Sequence, residues 1–140
     1  MRRTITMLLT VAVLAVPVAE ATAAVKAAKK KVRVVTKTFT GSAVEAGRWG
    51  PLQVTIVVRK TTTITGTKRK VTRKLTALSV PTYPNHTDRS VYINTQALPI
   101  LKSEALRAQS ANINLVSGAT DTSQAFAESL QSAILKAKRA

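Results

Sequence analysis

The chain contains no cysteine. That excludes a disulfide framework, a thiol nucleophile, a thiolate-bound metal and a cysteine-linked lipid. Histidine is nearly absent too: His86 stands alone, so no imidazole pair is available to a metal, and the prolines and Asn85 around it predict an exposed loop over Pro81 to Thr87. Aromatic residues make up 4% of the sequence, and neither a zinc-finger spacing nor an aromatic RNA-binding motif occurs, so nucleic acid is not an expected partner. Acidic residues are the remaining shortage, 6 against 22 Lys and Arg, giving a formal net charge of +16. A surface this basic attracts anions. No catalytic residue and no metal ligand is assigned from these absences and the motifs that remain.

What is present begins with an export pattern. Arg2 and Arg3 precede an apolar run from Ile5 to Val18 that Pro17 breaks, and Ala19, Ala21 and Ala23 offer small-residue cleavage positions. The run is shorter than the ~20 apolar residues of a spanning helix. Residues 1–23 are therefore expected to be a signal peptide, placing the mature protein outside the cytoplasm, secreted or in the cell envelope. Residues 24–36, with the basic stretch Lys26 to Arg33, are expected to form a solvated linker able to tether the protein to anionic lipid or wall polymer, and 37–140 a single domain.

Within that domain Thr36 to Thr40 is β-prone and ends at Gly41-Ser42. From Leu52 to Arg59 the pattern alternates, so Leu52, Val54, Ile56 and Val58 share one face and are predicted core. Trp49, just before Gly50-Pro51, suits either the edge of that core or a ligand site. Thr61 to Lys70 holds Gly66 and the run Lys68-Arg69-Lys70, and Leu75 to Val80 then resumes as a strand. The expected arrangement is two strands joined by a long basic turn, either a solvated hairpin tip or a docking knob for an acidic partner. Leu98, Leu101, Ala105 and Leu106 recur at helical spacing, with Pro99 suited to a first turn. After an extended segment, Ile113 to Val116, the run Gln124 to Lys136 is amphipathic; Phe126, Leu130, Ala133, Ile134 and Ala137 form its core stripe, and Lys136, Lys138 and Arg139 complement the C-terminal dipole. The fold class expected is α+β, a small antiparallel sheet with two packed helices.

Ahead of that last helix lies Ser117-Gly118-Ala119-Thr120-Asp121-Thr122-Ser123. It gathers hydroxyls, a flexible glycine and free N–H groups at a helix N-terminus, where they serve either as ordinary N-caps or as a phosphate cradle. Ser117-Gly118-Ala119-Thr120 followed by Thr122-Ser123, with "GRWGPLQVTIVV" and "INTQALPILKSEALRAQSANI" upstream, resembles the FMN-binding domain family, and most closely its small secreted single-domain members, from about Thr40 to Lys136.

The resemblance implies FMN as cofactor, with Ser117, Gly118, Ala119, Thr120, Thr122 and Ser123 around its phosphate and Thr120 as the residue esterified in flavinylated members. It implies a separate magnesium-dependent flavin transferase for attachment, and envelope or membrane redox proteins as partners. It also places the "QALP" region, and with it Leu98, near the flavin, and makes Trp49 a candidate flavin neighbour. One departure stands out: Asn114 occupies the position where flavinylated relatives usually carry an aspartate. The function expected is an electron carrier more than a self-contained enzyme, with a flavin-free basic envelope-binding protein as the alternative.

Overall fold

The computed structural model describes residues 29–140; the expected signal segment and the start of the expected linker lie outside the described residues. Strands β1 (Lys30–Thr40), β2 (Val44–Glu45), β3 (Pro51–Thr65) and β4 (Lys68–Thr82) are followed by helices α1 (Asp88–Ala108) and α2 (Thr120–Arg139). β3 is the central strand. β1 runs antiparallel to it from Lys30↔Thr65 to Thr40↔Thr55, β4 pairs along it from Gln53↔Thr82 to Thr65↔Lys68, and β2 pairs with its first residues. This is the α+β arrangement of a small antiparallel sheet and two helices that the sequence pattern predicts.

The alternating residues of β3 do form the core face: Leu52, Val54 and Ile56 are fully buried and join Phe126 and Leu130 of α2 and Leu98, Leu101 and Ala105 of α1 in one cluster. Both helices thus cover the same side of the sheet. Where β1 stops at Thr40, α2 supplies the missing partners. Val54 N–H donates to Ser129 Oγ at 2.9 Å, and Ser42 N–H donates to Ser132 Oγ at 3.1 Å. The approach is close enough to require glycine at position 41, since a Cβ there would lie 2.0 Å from the Ser129 carbonyl oxygen.

Three expectations change. Residues 30–36, expected to end a linker, are instead the first seven of the eleven residues of a paired strand. The long basic turn is a tight hairpin around Gly66 (φ +61°) and Thr67, with Lys68, Arg69 and Lys70 inside β4. Val32, Val34, Thr36, Thr38 and Thr40 alternate along β1, Val71 and Thr72 lie in β4, and these β-prone residues find their pairing partner in the neighbouring strand. Finally, α1 starts at Asp88, not near Pro99: Thr87 Oγ1 accepts the Ser90 N–H at 3.1 Å, an N-cap that sets the start, and Pro99 sits in the helix interior on its exposed side. There the carbonyl it leaves unpaired can meet water. At the other end Gln109 takes a left-handed conformation (φ 55°), and its side chain bonds both backbone groups of Leu75, donating to the carbonyl at 3.0 Å and accepting the N–H at 2.7 Å.

Candidate functional site

α2 begins at Thr120, so the motif does not stop short of the helix but forms its first turn. Ser117 and Gly118 make the turn that feeds it, with Ala119 N–H donating to the Val116 carbonyl at 3.0 Å and Gly118 at φ +80°, a region closed to most side chains. Ala119 is the N-cap residue and offers no side-chain cap. The first intrahelical bond runs from Ser123 N–H to the Ala119 carbonyl, at 2.9 Å. The N–H groups of Thr120, Asp121 and Thr122 therefore point out of the helix end with its positive partial charge, as at a site for an anion.

The three hydroxyls of that turn have different fates. Ser123 is fully buried; its Oγ donates to the Ala119 carbonyl at 2.7 Å and accepts the Val116 N–H at 3.0 Å. It braces the turn and does not reach the cleft. Thr122 is buried and donates to Asn94 Oδ1 at 2.8 Å, while Asn94 Nδ2 donates to the Pro84 carbonyl at 2.7 Å. This chain ties α2 to α1 and to the loop after β4. Thr120 is exposed and lines the cleft.

The cleft is shallow and open to solvent, walled by Gly118, Ala119, Thr120, Asp121 and Thr122 on one side, by Arg89, Ser90, Ile93 and Asn94 of α1 on another, and by Trp49. Five of the six motif residues singled out in the sequence are thus at one place or beside it: Gly118, Ala119, Thr120 and Thr122 line the cleft, and Ser117 is exposed at the turn just before it. Ser123 supports them from behind. A Cβ on Gly118 would meet nothing within 4 Å, so the space beside this backbone is open to a ligand. Trp49 is half-buried at the wall, with the Arg48 guanidinium 4.9 Å from its ring centroid. Asp121 turns its carboxylate toward Gly47, whose Cβ, if present, would lie 2.8 Å from Oδ2.

Leu98 packs in the core and is not among the cleft residues; His86 is exposed in its loop, and Asn114 is exposed on the segment leading to the turn. The residues that sequence reasoning missed are those of the first two turns of α1. Arg89 lines the cleft and carries a guanidinium, a donor suited to phosphate, and the buried Ser90 and Asn94 line it beside Arg89. The signal was present: Thr87-Asp88-Arg89-Ser90 is an N-cap pattern, and extending the spacing of Leu98, Leu101 and Ala105 backward reaches Asn94 on the buried face.

These features fit a phosphate-bearing ligand with an apolar ring system: N–H groups and one arginine for the anion, Trp49 and Ile93 for the ring. None of the curated proteins compared with the chain matches it. The family model for the FMN-binding domain matches residues 47–135, which take in β3, β4, α1, the motif turn and most of α2. The chain belongs to the FMN-binding domain family, and FMN is its cofactor.

Proposed function

We propose that this FMN-binding module is an extracytoplasmic electron carrier whose flavin is attached by a phosphoester to Thr120. The observation that carries the choice of residue is the division of labour along the turn: the hydroxyls of Thr122 and Ser123 are committed to internal hydrogen bonds, whereas Thr120 is exposed and lines the cleft. Attachment would form a bond from Thr120 Oγ1 to the flavin-side phosphorus of FAD as the bond to AMP breaks. The hydroxyl proton would pass to a base on a separate flavin transferase. The motif backbone, the α2 N-terminus and Arg89 then hold the phosphate. Asp121 works against them at close range, and its placement toward Gly47 limits that cost.

The flavin, when bound, supplies the redox chemistry, and the chain supplies position and a positive field. The export pattern of residues 1–23 supports the extracytoplasmic location.

Intact mass of protein purified from its host's envelope, under denaturing conditions and with peptide mapping, tests the reading. The expected result is an increase of one FMN less a water on the peptide holding Thr120, lost in Thr120→Ala, whose melting temperature should equal that of the flavin-free wild-type chain. Thr122→Ala should keep the modification and lower stability. An unmodified yellow protein would mean reversible FMN binding. An unmodified, colourless protein that takes up no FMN would favour a basic envelope-binding role in place of electron transfer.

A further inference from the structure

Beyond the end of α2 the sheet continues with no other described element packed over it. The helix finishes beside Lys60, whose Nζ donates to the Ala140 carbonyl at 3.1 Å, yet β3 runs on to Thr65 with β1 and β4 paired on either side. At ~3.3 Å per residue the hairpin tip lies roughly 45 Å along β3 from the cleft end. On this three-stranded ribbon, residues 30–34, 64–65 and 68–74 are all exposed.

Its charge is of one sign and lies on both faces. Register places Lys30, Thr65 and Lys68 in one row and Thr63 and Lys70 in the next, on one face; Lys31, Ile64 and Arg69 make a row on the opposite face, followed by Arg33 with Thr62. β1, β3 and β4 contain no acidic residue; the acidic residues of the described chain are Glu45, Asp88, Glu104, Asp121 and Glu128, all on other elements. No salt bridge among the described residues involves a ribbon side chain. The distal ribbon also lacks aromatic side chains to stack on a base and Asn or Gln to read one.

We propose that the ribbon is a docking surface for a flexible linear polymer that carries phosphate along its backbone and is recognised through that phosphate, with no reading of bases. A planar bilayer would meet one face and leave the other unpartnered, whereas a flexible chain can run along both. Threonine hydroxyls between the cationic columns provide further donors to phosphate oxygens, and arginine forks suit them. A second copy of this chain is repelled by the same charge. The site is remote from the cleft and its assignment does not depend on flavin.

The test is binding of the full chain to linear polyphosphate, followed by fluorescence anisotropy across a salt series. Affinity should fall by on the order of 10²- to 10³-fold between 50 and 200 mM salt if six phosphates are contacted. Two doubly substituted chains separate the faces: K30T/K68T and K31T/R69T. Each should weaken polyphosphate binding by roughly tenfold or more and flatten the salt slope, with unchanged melting temperature. The proposal is overturned by no binding at 50 mM salt or by a salt-independent affinity. It is also overturned if only one of the two variants matters, or if vesicles containing phosphatidylglycerol bind more tightly than polyphosphate at matched charge, either of which would identify a planar membrane as the occupant.

Discussion

The two ends of β3 obey different physics although one strand builds both. At the cleft end Leu52, Val54 and Ile56 are sealed under two helices, backbone groups are completed by serine side chains, and the hydroxyls of Thr122 and Ser123 have assigned partners. At the distal end Ile64 is 39% exposed and Val32 55%, and side chains meet water on both faces. Burial holds the first region in one arrangement. The second is held by cross-strand pairing, β propensity and its attachment to the first. The family match begins at residue 47, so it spans the cleft and β3 but leaves out β1, the outer column of the ribbon.

Glycine substitutions should break this comparison most sharply. Gly41→Ala forces a Cβ into the Ser129 carbonyl and should cost about 3 kcal/mol or more in urea unfolding. Gly66→Ala at the ribbon tip meets open space; only its positive φ opposes it, at about 1 kcal/mol. Equal losses would mean that the ribbon is as tightly constrained as the core.

Asn94→Ala is expected next in size. It strands the Thr122 hydroxyl and the Pro84 carbonyl, costing roughly 1–3 kcal/mol, and should weaken FMN binding as well because α2's first turn loses its brace. Arg89→Gln should leave the melting temperature unchanged and lower FMN affinity by about tenfold, the value of one charge-assisted hydrogen bond; flavin fluorescence titration of protein made without a transferase reads it. At the small end, Val32→Thr should shift stability by less than about 0.5 kcal/mol. Native-state hydrogen exchange sharpens the same contrast: amides of residues 61–65 should exchange through local opening well below the free energy that releases those of residues 54–58.

How far these features were legible differs by residue. The phosphate-type motif was readable because its residues are contiguous and a helix N-terminus is a local structure. The roles inside it were not. Thr120, Thr122 and Ser123 are chemically similar in sequence, and only the rotation of α2, fixed by Phe126 and Leu130 against β3, turns two of them inward and one outward. Arg89 and Asn94 reach the cleft from a helix some thirty residues upstream, a proximity that no local pattern encodes.

Some things the sequence determined by itself: the strand Leu52 to Val58 and its buried face, through alternation; the final helix and its stripe, through a 3.6-residue period; and the attraction to anions, through an imbalance of charge that folding does not alter. The tertiary structure decided the rest. Lys68 to Lys74 is a strand only because β3 offers it a partner, Lys30 to Thr36 only because β3's other edge does, and α1 begins at Asp88 because Thr87 can cap it while Asn94 and Ala97 find burial. Pairing and burial are set by residues distant in the chain, which is why a solvated turn and a linker were readable from the same letters that fold into a ribbon.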